Sequence, residues 1–246
     1  MLSDFELTGK ARTHVVQTFE RGGGRLAAMP EVVEAFTRMQ AAAVQDGFDI
    51  APCSSFRDFR TQIRIWNRKF EGRKVLFDEG GNPIDPGGLS GPDLVRTILF
   101  WSALPGESRH HWGTEIDVFD RSRLPPGMTP ALLPHEVAPG GAFHDLHAWL
   151  DQNIERFGFF RPYAFRKSEG SMMSEPWHLS FADRSMPLLE RVTPAVLMSA
   201  INGEGMAGLE HVMAMLDEIV AAHHRSICLP TEQIAIAGSA RKAPRD

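Results

Sequence analysis

Two short stretches hold the residue types that metal-dependent hydrolysis uses: Ser108-Arg109-His110-His111-Trp112-Gly113-Thr114-Glu115-Ile116-Asp117 and, much later, Glu175-Pro176-Trp177-His178. Two imidazoles, a carboxylate able to bind metal and a second carboxylate three residues before a histidine are the parts of a hydrolytic zinc site. A catalytic zinc takes three protein ligands and keeps a fourth position for water, whose pKa it lowers to about 7. His110, Asp117 and His178 fill those three places for one ion. The base must stand beside the water without binding the metal. Glu175, joined to His178 by a Pro-Trp link, is the candidate.

His110 and Asp117 lie an odd number of positions apart, so a regular strand would aim them at opposite faces. Gly113 answers this, because it adopts backbone conformations closed to other residues and lets the chain turn before the strand-like run Thr114 to Phe119.

At these residues the chain resembles the D-alanyl-D-alanine carboxypeptidases and dipeptidases of the vancomycin-resistance type and the related phage endolysin peptidases. Their pattern is Ser-x-His, two residues, Gly, three residues, Asp, then Glu-x-x-His, usually with Trp before the last His. Every fixed position is present, and Ser54-Ser55-Phe56-Arg57 with Gln62 matches an upstream Ser-x-x-Arg element followed by Gln. The resemblance covers residues 48–182. It implies that His110, Asp117 and His178 bind zinc, that Glu175 is the base and that Arg57 stabilises the oxyanion or the substrate. Ser108 and Gln62 would help to position substrate. The activity implied is hydrolysis of peptidoglycan-derived peptides, most simply as a D-alanyl-D-alanine carboxypeptidase. L,D-carboxypeptidase, endopeptidase and a Hedgehog-like recognition module that binds zinc without catalysis are the alternatives. Glu175 and Arg57 favour catalysis, since a protein that only binds needs neither.

The chain departs from the family two positions before the aspartate, where Glu115 replaces the common Ala. Alternation puts Glu115 on the face of Asp117, where a buried carboxylate needs Arg57, Arg109, a substrate ammonium or water as partner. The expectation is a role in substrate choice. Trp177 is expected as a wall of the site, and His111 as a packing or substrate-edge residue. His14, His144, His147 and His211 are expected as hydrogen-bonded structural residues. Neither Cys53 nor Cys228 lies in a thiol-protease signature, and Ser108 is part of the metal motif.

Around these residues the elements are readable. Pro30 to Asp46 has the apolar spacing of a helix, Phe48 to Pro52 reads as a strand, and Asp58 to Phe70 as a helix capped by Asp58, which puts Arg57 at a strand-to-helix junction. Residues 79–92 and 121–141 are rich in Gly and Pro and read as loops bordering a cleft, within a broader loop region at 71–106. His144 to Phe157 has helical spacing, and Trp177 to Phe181 alternates like a strand beside that of Asp117. The fold class expected is α+β: a small antiparallel sheet carrying the zinc site, flanked by helices. The resemblance implies the fold shared with the Hedgehog signalling domain.

The division expected is a peptidase domain, 1–185, and a helical extension with a flexible tail, 186–246. Met186 to Ala200 and Gly205 to His224 read as helices, the second with a broad apolar face that is either core or a homodimer or partner surface. Ala237 to Asp246 reads as a disordered tail.

With 246 residues, 43% of them hydrophobic, the chain can bury a full core. A net charge of -5 without a basic stripe argues against a nucleic-acid partner, and no apolar run reaches the ~20 residues of a membrane span. The start Met1 to Leu7 lacks a basic segment followed by an apolar core, so the cytoplasm is expected, or the periplasm or cell envelope if a leader has been removed.

Overall fold

Capping and apolar spacing set the first half of the chain. The computed structural model describes residues 1–19 and 24–232. Helix α1 (Asp4–Leu7) starts in a capping box between Ser3 and Glu6. An antiparallel pair follows, β1 (Val16–Phe19) with β2 (Arg25–Ala28), which the sequence patterns did not announce. Helix α2 (Pro30–Gln45) begins with Pro in its first turn and buries Val32, Phe36, Met39 and Ala43 at helical spacing. Strand β3 (Ile50–Ser54) leads through Arg57 into α3 (Phe59–Phe70), whose first turn is held by the Asp58 carboxylate accepting from Thr61 N at 2.6 Å.

The region 71–106 holds more structure than its composition suggests. A short hairpin, β4 (Leu76–Phe77) and β5 (Pro83–Ile84), is followed by α4 (Gly91–Leu99). Helix α4 escapes a composition reading because Gly91 and Pro92 look like loop, yet Ser90 caps the turn through Asp93 N and Pro sits in the first turn, where it costs no hydrogen bond.

The central sheet is formed by β6 (Glu115–Asp120), β7 (Phe159–Phe160) and β8 (His178–Phe181) with β3, in the antiparallel order β3-β6-β8-β7. Helix α5 (His144–Asn153) and a 3-10 turn (Ile154–Phe157) precede β7. The register pairs Asp117 with His178 and Glu115 with Ser180. Alternation sends Ile116, Val118 and Leu179 into the main core and leaves the four polar side chains on the other face. Residues 121–141 stay irregular apart from 3-10 turns at Arg121–Arg123 and Pro134–Glu136.

The extension contains α6 (Ala182–Leu189), α7 (Pro194–Ile201), α8 (Leu209–Ala214) and α9 (Leu216–Glu218), then a π-helical turn (Ile219–His224). The single helix expected over Gly205 to His224 is broken at Met215. Its apolar face, with Val212, Leu216, Ile219 and Val220, is packed inside the chain, in the same core cluster as α2 and the sheet. The expected tail, Ala237 to Asp246, lies outside the described residues. No helix among the described residues is long and apolar enough to cross a membrane.

Candidate metal centre

The turn that brings His110 and Asp117 together is a 3-10 turn, Arg109–Trp112, closed by Gly113 in the left-handed conformation (φ 68, ψ 20). A Cβ there would lie 2.5 Å from Val15 Cγ1, so both conformation and space demand glycine. His110 therefore leaves a turn while Asp117 leaves the adjoining strand, and sheet register supplies His178 directly opposite Asp117.

One ligand atom from each of His110, Asp117 and His178 lies within 4.8 Å of the others, and all three residues are buried. The tautomers decide what the group can hold. His110 Nδ1 lies 2.9 Å from Ser55 O, and a carbonyl only accepts, so Nδ1 carries the hydrogen. Its Nε2 lone pair then faces Asp117 Oδ2 at 3.3 Å. His178 Nε2 is 2.8 Å from Glu115 Oε2, and its Nδ1 is 3.0 Å from Asp117 Oδ1. With hydrogen on Nε2, the second lone pair also faces Asp117. Lone pairs and carboxylate oxygens converging in this way suit a cation, and two imidazoles with one carboxylate suit zinc.

Charge on these groups follows from their neighbours. Burial works to raise the Asp117 carboxyl, but His110 and His178 hold it far below the usual carboxylate range. Burial opposes a proton on His178, yet hydrogen bonds to Asp117 and Glu115 lift it to about 10, so a cation entering the triad displaces a proton. Glu175 behaves oppositely. Burial, aided by Asp117, pushes its carboxyl up to about 7 against the opposing charges of His178 and Arg57. Its Oε2 lies 3.8 Å from His178 Nδ1, held there by a turn in which His178 N donates to Glu175 O. A carboxyl balanced near neutrality, next to the triad, can take and return a proton.

Arg57, Ser108, Trp177 and Glu175 line one cleft of about 300 Å³ with the three candidate ligands. Arg57 is fixed by its own backbone and by its side chain. Its N donates to His110 O, its O accepts from His111 Nδ1 at 2.6 Å, and its guanidinium donates to Gln62 Oε1 at 2.9 Å and Ser54 Oγ at 3.1 Å. His111 thus has the packing role, with Nε2 accepting from Gly106 N. Gln62 does not reach the cleft: it is wholly buried, accepts from Arg57 and donates to Ala103 O at 2.7 Å. It positions the arginine, not the substrate.

Glu115 also departs from expectation. Its side chain is fully buried and its oxygens are taken by Arg109 at 3.0 Å, Ser180 Oγ at 2.8 Å, Thr114 Oγ1 and His178. Burial works against this charge, but Arg109 and then His178 hold the carboxyl down to about 2. No oxygen is left for a substrate. Alternation placed Glu115 on the right face, but it meets His178 at the Nε2 edge of the ring and does not line the cleft.

Three cleft residues carried no sequence signal read as functional. Tyr163, whose ring centroid is 5.0 Å from that of His178, and Leu132, the one non-glycine residue with positive φ (56) among those described, are set there by irregular segments. Lys69 shares a helix face with Gln62 and Trp66, a cation on a buried stripe, which was the available clue.

Residues 26–184 match the family model described as VanY, D-alanyl-D-alanine carboxypeptidase. An uncharacterized protein of Haemophilus influenzae is 34% identical over 116 residues, 47% of this chain and 88% of its own length. A D-alanyl-D-alanine carboxypeptidase of Enterococcus faecalis is 32% identical over 139 residues, 56% of this chain, and the match spans 45% of that protein. Among solved structures, VanYB in complex with D-alanine-D-alanine has the same fold, with a TM-score of 0.50 and 22% identity over 82% of this chain and 90% of that one.

Proposed function

The chain belongs to the VanY family of D-alanyl-D-alanine carboxypeptidases, and we propose that it is a zinc peptidase releasing the C-terminal D-alanine from peptidoglycan-type peptides. The observation that carries this reading is the meeting of the His110, Asp117 and His178 triad with the Glu175 carboxyl, 3.8 Å from His178 and pushed upward by burial. His110, Asp117 and His178 would hold the zinc, which would supply Lewis acidity toward a carbonyl and acidify water. Glu175 takes the proton from the attacking water and returns it to the leaving amine. Arg57, braced by Gln62 and Ser54, offers its remaining N–H groups to the oxygen on which negative charge develops. Trp177 and Tyr163 wall the cleft beside His178 and limit water. A module that only recognises a partner has no use for a buried carboxyl beside the metal ligands and a braced arginine at one metal site.

The test is hydrolysis of a muropeptide panel by zinc-loaded protein, with products read by mass spectrometry. Release of D-alanine from D-alanyl-D-alanine ends is expected, with loss on chelation and recovery on adding zinc back. Glu175→Gln is expected to lower turnover by about 100- to 10,000-fold while zinc stoichiometry stays at one. Turnover that survives chelation or the substitution sinks the mechanism.

A further inference from the structure

The cleft contains a cation that the hydrolytic steps leave unused. Lys69 lies on α3, seven residues beyond Gln62 and therefore on the same helix face. The residue is 8% exposed, and it lines the cleft with Arg57 and Glu175. Its ammonium donates to a carbonyl, Trp101 O, at 3.4 Å. Half-buried Arg57 and buried Arg109 in the same cleft are tied down, the first by Gln62 and Ser54 and the second by Glu115. The acid whose charge reaches Lys69 is Glu175, and each feels the other across the cleft. Burial, and next the ammonium of Lys74, push Lys69 down to about 7. An ammonium this buried, with one long hydrogen bond to a carbonyl, is costly, and an arriving carboxylate removes that cost.

In a peptide whose scissile bond lies at Glu175, the terminal carboxylate stands one residue further on, about 3.8 Å in Cα spacing. We propose that Lys69, with Lys74 at the rim of the cleft, seats the C-terminal α-carboxylate of the substrate and so sets cleavage at one residue from the chain end. This rests on the peptidase reading above. Ile65 and Trp101 give the same part of the cleft apolar walls, which suit a small side chain such as a methyl group.

The experiment compares kcat/KM for an N-acylated peptide ending in D-alanyl-D-alanine as free acid and as C-terminal amide. Zinc-loaded wild type is expected to prefer the acid by about 10- to 100-fold. Lys69→Met should bring that preference to within about threefold, mainly by raising KM for the acid. Lys69→Arg, which keeps the charge, should retain more of it. Equal cleavage of acid and amide by the wild type overturns the proposal, and this arm needs no variant. So does full acid preference in a Lys69→Met protein that binds one zinc. Hydrolysis of neither peptide removes the peptidase reading itself, and the proposal with it.

Discussion

At the scale of single residues, Glu115 separates what a motif contains from what holds it in place. Its Oε2 meets His178 Nε2 at 2.8 Å, while Arg109 and Ser180 occupy Oε1. A carboxylate accepting from the far nitrogen of a metal-binding imidazole fixes the tautomer and raises the basicity of the near one. Glu115 therefore acts through His178, and the substrate does not meet it. Glu115→Gln keeps the shape but removes the charge, and is expected to weaken zinc binding about 10- to 100-fold. Competition against a chromophoric chelator measures this. The ratio of rates on free-acid and amidated peptides should not move. Unchanged zinc affinity with an altered ratio would return Glu115 to the cleft.

At the scale of elements, Gly113 is where the chain changes from a turn to a strand, and the site depends on that change. Gly113→Ala adds a Cβ 2.5 Å from Val15 Cγ1 and 3.3 Å from Met29 N, at φ 68. Strain of about 1–3 kcal/mol is expected, seen as a lower urea midpoint, together with weaker zinc binding because His110 shifts relative to Asp117. A midpoint and zinc affinity equal to wild type would show that the turn can move without cost. Gly113 was legible because an odd spacing between two ligands needs a turn. The helix capped by Asp58 and the strands of Asp117 and His178 were legible because caps and alternation are local signals. Sheet register is not local, so the pairing of Glu115 with Ser180 over His178 could not be read from spacing. Nor could α4, whose opening Gly91-Pro92 carries the composition of a loop. Tyr163 and Lys69 come from segments that only tertiary packing brings beside the triad.

At the scale of the whole molecule, the C-terminal elements share one core with the metal-bearing part, and a buried ion pair joins them just before the metal motif. Glu107 Oε1 lies 2.6 Å from His223 Nδ1, and Glu107 Oε2 accepts from Leu104 N. Its neighbour Ser108 opens the motif, so docking of the π-helical turn at Ile219–His224 braces the segment that carries His110. Burial works to raise the Glu107 carboxyl, but the charge of His223 and the hydrogen bond to it bring the net shift downward. For His223, burial works downward and Glu107 outweighs it, so the net shift is upward. A lowered carboxyl contributes stability above its ordinary value of 4.5 and loses it as pH falls through the folded value. A raised imidazole contributes below its ordinary 6.5 and loses it as pH rises through the folded value. The contributions overlap most fully between those two ordinary values. Glu107→Gln is therefore expected to cost about 2 kcal/mol there, with the difference from wild type shrinking on both the acid and the alkaline side. Urea unfolding of both proteins across about pH 4 to 8 reads this directly. A difference independent of pH would mean that Glu107 and His223 are joined as neutral hydrogen-bonding partners, and that no ion pair holds the π-helical turn to the segment before the metal motif.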